Sequence, residues 1–220
     1  MKVKSLNETN FKTILSVVLL FILFFGYSQD KQIFESPKMQ EFISAHKTVA
    51  ILPFKATISY KKLPKDFDVT ANKADEVKLG SQMQSGMYTY LLRKSSDYIV
   101  QVQEVDKTNA LLIKNGLIDK LDESSSEDLA KILGVDAIIK CSYAYEKTKS
   151  EGAAIALTLL VGFGTGKVAS GALTMQINDA KEGTLVWRFY KQMAEDVMSS
   201  PAAMMERMMR KVGRNFPYLK

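Results

Sequence analysis

Hydrophobic positions along the chain fall into two regimes. Between Ile14 and Phe25 the only polar side chain is Ser16. A net positive stretch with Lys2, Lys4 and Lys12 precedes this run, and Gly26-Tyr27-Ser28 follows it. A basic start, a short apolar centre and small residues before a cut predict an export signal over residues 1–28, cleaved after Ser28. A spanning helix needs about 20 apolar residues, so the run is short for a permanent anchor. From Gln29 onward the pattern is mixed. Residues 29–47 are polar with scattered apolar positions (Ile33, Phe34, Met39, Phe42, Ile43) and predict an extension with a short helix started by Ser36-Pro37.

Residues 48–220 alternate between two periodicities. Thr48 to Phe54 is apolar and β-branched with little alternation, the pattern of a strand buried on both faces, and Pro53 limits pairing near its end. Tyr60 to Val69 reads as a loop. A long helix is predicted from Asn72, its cap, to Lys94, with Val77, Gly80, Met83, Met87, Tyr88 and Leu91 on its buried side. Gly80 and Gly86 on this helix suit close packing rather than a site. Asp97 to Val102 is a second strand, and Glu104 to Lys114 a helix ended by Gly116. A capping box from Ser124 to Glu127 opens a short helix that Gly134 stops. Val135 to Lys147 and Val168 to Asn178 are strands, the latter with Leu173, Met175 and Ile177 on one face. Asp179-Ala180-Lys181-Glu182-Gly183 is a hairpin turn into a strand from Thr184 to Met193. Ser200-Pro201 caps a last helix stopped by Gly213. The order β-α-β-α-α-β-β-β-α predicts a single α/β domain: a mixed sheet with helices packed on it, closed by a β-meander and a C-terminal helix.

Composition changes this picture little. In 220 residues, 46% are hydrophobic and 25% charged, ordinary for a folded domain. The net charge of +6 owes part of its excess to the first residues, and no dense basic block of the kind that tracks nucleic acid occurs. With one cysteine, Cys141, no intramolecular disulfide forms. Cys141 lies in an apolar strand pattern and reads as a small core side chain.

Candidate chemistry is thin. His46 is the only histidine; it precedes the first strand, no nucleophile elbow accompanies it, and it reads as a surface or boundary residue. In Gly162 to Lys167 a phosphate loop would need Gly where Val161 stands and Ser or Thr where Val168 stands. Asp119, Asp122, Glu123, Glu127 and Asp128 lack calcium-loop spacing and read as solvated loop and capping charge. Met204, Met205, Met208 and Met209 form a helical stripe, the buried side of the last helix or a partner groove. The uncharged Gly/Ala-rich insert 152–166 leaves three readings open: packing on its own domain, a partner or oligomer contact, or a membrane contact. Ile155, Leu157, Leu159, Leu160, Val161 and Phe163 are the residues that would make such contacts.

Several segments together resemble one family. They are Val49-Ala50-Ile51-Leu52-Pro53-Phe54, the strand pattern Tyr98 to Val102, the run Asp128 to Ile139 through Leu133-Gly134-Val135-Asp136-Ala137, and the turn Asp179 to Gly183 closing on Leu185-Val186-Trp187. This resembles the CsgG/LpoB-like envelope domain superfamily, which includes the curli secretion channel subunit and activators of penicillin-binding proteins. The resemblance implies a periplasmic, non-enzymatic protein acting through an envelope protein partner or self-association. It implies no cofactor, metal, nucleic acid or small-molecule substrate. Two features depart from the family. No cysteine ends the apolar signal run, so an exported, unlipidated protein is expected, periplasmic or associated with the outer membrane. The channel's membrane hairpins are not evident; only the insert 152–166 lies in a comparable region.

Overall fold

A computed structural model describes residues 31–147, 169–195 and 200–220. The export signal predicted at 1–28 and the insert 152–166 lie outside the described residues. The strands are β1 (Lys31–Glu35), β2 (Thr48–Ile51), β3 (Lys55–Tyr60), β4 (Gln101–Val102), β5 (Ala137–Lys147), β6 (Ala169–Asp179) and β7 (Leu185–Glu195). The α-helices are α1 (Met39–Ala45), α2 (Val69–Arg93), α3 (Val105–Lys114), α4 (Ser126–Leu133) and α5 (Pro201–Val212). The strands form one seven-stranded mixed sheet in the order β1-β7-β6-β5-β2-β4, with β3 also on β5. The α/β single-domain expectation, with its closing meander and C-terminal helix, is what the chain adopts.

Period-two alternation divides the sheet into two faces. On one, Ile139, Cys141 and Tyr143 of β5 join Leu173, Met175 and Ile177 of β6 beneath α1, α2 and α5. All four methionines of the α5 stripe are buried in this core, so they are not a partner groove. On the other face, Ala50, Leu52 and Ile138 pack under α3 and α4.

Strands β2 and β3 lie in line along the same edge of β5. Ile51 pairs with Ile139, and Lys55 with Ser142. The β2–β3 side therefore spends one residue more than β5 across Leu52-Pro53-Phe54. That bulge reverses side-chain parity, so Leu52 joins the α3–α4 core while Phe54 and Ala56 join the α2 core. The sequence reading runs its strand from Thr48 to Phe54 and misses β3, because a parity break looks like a strand end.

Helix α2 covers the outer edge of β3 and β2 with a ridge of residues spaced by four. Asn72 Nδ2 donates to Ile58 O at 3.2 Å, and Ile58 N donates to Glu76 Oε1 at 2.9 Å. Gln84 Nε2 donates to Ile51 O at 2.8 Å. Between them stands Gly80, where a Cβ would fall 2.4 Å from Phe54 O. The ridge supplies the bonds an edge strand would otherwise offer to another chain.

Several boundaries differ from the sequence expectation. Helix α1 begins at Met39, beyond Pro37, and β1 forms where none was expected, paired with β7 from Lys31↔Lys191 to Glu35↔Trp187. Helix α2 starts at Val69 under an Asp68 cap, placing Asn72 inside the helix. Val77, expected on the buried side, is 66% exposed, because the space it faces between α2, α3 and the β2–β3 bulge is open rather than filled by another element. The strand expected from Asp97 shrinks to Gln101–Val102, since Ser95–Asp97 closes a 3-10 turn. Ser125, not Ser124, caps α4 and exchanges hydrogen bonds with Asp128. Gly134 stops α4 at φ 66°, the left-handed region that favours glycine. Ser200 and Pro201 open α5 as expected.

Candidate functional site

Two regions carry polar groups in unusual settings. The first is centred on His46, the residue that closes α1 just before β2. Contrary to the expectation of a surface or boundary residue, His46 is 4% exposed. Its Nε2 lies 3.0 Å from Asp179 Oδ1, at the end of β6. Its Nδ1 lies 2.8 Å from Tyr218 Oη, in the tail after α5. Both ring nitrogens thus have a hydrogen-bond partner, Nε2 in the Asp179 carboxylate and Nδ1 in the Tyr218 hydroxyl.

Each partner is itself held. Asp179 Oδ2 accepts from Lys181 N at 2.8 Å and Glu182 N at 3.2 Å, so one carboxylate builds the hairpin turn and binds the histidine. Burial, then the charges of Asp179 and Asp136, push the Tyr218 phenol up. The Tyr218 carbonyl accepts from Ile99 N at 3.0 Å, and Phe216 packs edge-on against Tyr98, Trp187 and Tyr218. Burial alone would raise the Asp136 carboxyl, but donation from Thr48 N and Lys47 N outweighs it and holds the carboxyl below its ordinary range. Carboxylate, imidazole and hydroxyl stand in line as in a hydrolytic triad. Here, however, the hydroxyl is a phenol with no exposed surface, and the whole line is sealed. What the arrangement does is lock the entry to β2, the β6–β7 turn and the C-terminal tail together.

The second region is an open groove of about 620 Å³ between α2, α3, the loop leading to α4 and the β2–β3 bulge. Val77 from α2 and Ile113 from α3 line it at 66% and 62% exposure. Gln84 and Asn109 exchange two 3.1 Å hydrogen bonds there and tie the helices together. Lys55 pairs with Asp122, and Lys73 with Glu76 at 3.1 Å. Lys140, from β5, is half-buried; burial holds its ammonium below the usual lysine range, an effect that Asp122 partly opposes. Among the described residues, no carboxylate comes within ion-pair distance of Lys140.

The remaining sequence candidates fall as follows. Ile155, Leu157, Leu159, Leu160, Val161 and Phe163 lie outside the described residues. Cys141 is a buried free thiol that desolvation pushes up, the small core side chain expected. Asp122 is spent on Lys55 and Asp128 on the α4 cap, while Asp119 lines the groove. Among the described residues no three His, Cys, Asp or Glu side chains cluster as metal ligands, and no helix is long and apolar enough to cross a membrane. Sequence reasoning missed both regions. Only the turn signal at Asp179 pointed towards the first, and nothing local pointed to the groove.

No protein-family model matches the chain, and no curated protein matches it. Several solved structures do. A lipoprotein from Neisseria meningitidis is similar at 12% identity and a TM-score of 0.46, over 77% of this chain and 96% of that one. A PelC dodecamer subunit from Paraburkholderia phytofirmans is similar at 12% identity and a TM-score of 0.40, over 87% and 98%. The LpoB C-terminal domain from Salmonella enterica is similar at 10% identity and a TM-score of 0.34, over 72% and 94%.

Proposed function

We propose that this chain is a non-catalytic accessory or scaffold protein of the bacterial envelope, acting in envelope assembly or secretion through contacts with other proteins. The observation that carries the reading is the open groove, where two branched apolar side chains, Val77 and Ile113, remain exposed on facing helices. The sealed His46 adds support, since the one imidazole is engaged in holding the fold together. The export signal predicted at 1–28 and the resemblance carried by residues 48–216 support an envelope compartment.

The test is to place a benzophenone amino acid at position 77 or 113 of the full chain in cells and irradiate. An adduct with an envelope protein at these positions, absent when the probe replaces exposed Lys181, is the expected outcome. Recovery of the protein in the cytosolic fraction, or no adduct at either position, would overturn the reading.

A second reading is a membrane-associating oligomer that uses the insert 152–166. What favours it is the β5–β6 ladder, paired as far as Lys147↔Ala169, which presents the two ends of residues 148–168 side by side at the end of the sheet. Liposome flotation that is lost on deleting 152–166 would support this reading. Flotation unchanged by the deletion, or none at all, would remove it.

A further inference from the structure

We propose that the groove receives an extended segment of a partner protein in which a carboxylate stands next to a large apolar side chain. This rests on the protein-contact reading and deepens it by naming the partner's chemistry. Lys140 is the cation that meets the carboxylate, and Val77 and Ile113 are the walls that take the apolar side chain.

Three observations converge. Lys140 projects from β5 into the groove beside the bulge at Pro53, half-buried and without an ion-pair partner among the described residues. An ammonium partly removed from water and left unpaired is unfavourable in the free protein, and a partner's carboxylate relieves exactly that deficit without further rearrangement. Asp122, the carboxylate whose charge acts on Lys140, is committed to Lys55. Strand register places Lys55 opposite Ser142, two residues from Lys140, so the two lysines leave the same face of the sheet as diagonal neighbours. Asp122 thus occupies the position next to the one a partner's carboxylate would take.

The charge around the groove selects the class of occupant. Lys55, Lys73 and Lys140 alternate with Asp119 and Asp122, giving a mixed-sign surface. A polyanion or an anionic membrane needs a surface of one sign and would meet the two aspartates. Apolar walls with a mixed polar rim are the anatomy of a protein interface. The floor is rigid, because the reciprocal Gln84–Asn109 bonds join α2 to α3 and Gln84 is anchored to Ile51 O.

Fluorescence anisotropy on the full purified chain tests this, with a labelled acetyl-Leu-Glu-Leu-Glu-Leu-Glu peptide and its all-glutamine counterpart as probes. The expected result is saturable binding of the glutamate peptide, weakened about tenfold or more in the glutamine peptide and in Lys140→Gln, as loss of a charge-assisted hydrogen bond requires. Lys140→Arg should restore most of the affinity, Ile113→Asp should abolish it, and Asp122→Asn should tighten it several-fold by removing the competing carboxylate. Lys181→Gln, an exposed lysine outside the groove lining, should leave it unchanged. Equal binding of both peptides, wild-type binding by Lys140→Gln, or no saturable binding of the glutamate peptide would each overturn the proposal. So would flotation on anionic vesicles that depends on Lys140 in place of peptide binding. Adducts still forming at positions 77 and 113 in cells, with these results, would leave the protein-contact reading standing and remove only the carboxylate chemistry.

Discussion

The His46 cluster and the Lys140 groove both take charged or polar side chains out of water, and they resolve the cost in opposite ways. Around His46 both ring nitrogens, both Asp179 carboxylate oxygens and the Tyr218 hydroxyl have partners inside the chain, and the three residues are at most 5% exposed. In the groove, Lys55, Lys73, Gln84 and Asn109 are paired while half-buried Lys140 has no ion-pair partner among the described residues, and apolar side chains stay in water beside it. A polar group satisfied within the fold contributes stability; one left unsatisfied at an open surface is available for recognition. The first region is accordingly where substitutions should unfold the protein, and the second is where they should change binding and little else.

The largest effect that would break this contrast is at the histidine. His46→Ala leaves Asp179 Oδ1 and Tyr218 Oη without their partner in a sealed site, and should lower stability by about 2–4 kcal/mol, read from the urea midpoint. A loss no larger than that of a surface substitution would show that the cluster is not a lock. Tyr218→Phe keeps the ring packing and removes one hydrogen bond to Nδ1, so about 1–2 kcal/mol is expected by the same measurement.

A smaller effect is pH-dependent. Burial, with Tyr90 and Asp97 adding to it, raises Tyr98 from 10.0 to about 12, and Tyr218 is raised as well. The folded chain therefore keeps phenolic protons that the unfolded chain releases. Their contribution to stability is full below the ordinary tyrosine value of about 10 and is lost as the pH climbs from there through the raised folded values. Urea midpoints should fall between about pH 10 and about pH 12, with a shallower fall in Tyr218→Phe. A midpoint that stays flat or rises would contradict the burial of these phenols.

The smallest effect sharpens the contrast from the other side. Val77→Ser and Ile113→Ser, at 66% and 62% exposure, should each change stability by no more than about 0.5 kcal/mol in thermal or urea unfolding. A loss of several times that would place these side chains in the core and take the groove out of consideration as a contact surface.

Much of the fold was legible because its signals are local. The Asp179 to Gly183 turn, the Gly134 stop and the Ser200-Pro201 cap each act within a few residues, and each stands where the pattern placed it. The alternation of Leu173, Met175 and Ile177 against a buried face is likewise a property of one strand. Strand β3 and the true start of α2 were not legible. The bulge at Pro53 switches parity mid-edge, and Asp68 caps more effectively than the Asn72 that lies inside the helix.

The candidate sites divide along the same line. By itself the sequence determined the α/β class and most of the elements, though not β1 or β3, because turns, caps and amphipathic faces are set by neighbours in the chain. Tertiary structure alone decided that Asp179 and Tyr218, 133 and 172 residues from His46, would enclose it. It also decided that Asn72, Glu76 and Gln84 would seal a strand edge, and that Val77 and Lys140 would meet in one open groove. The physical reason is range. Turn and cap energies depend on adjacent residues, whereas the satisfaction of a partly buried polar group depends on which distant segments the sheet and its helices bring beside it.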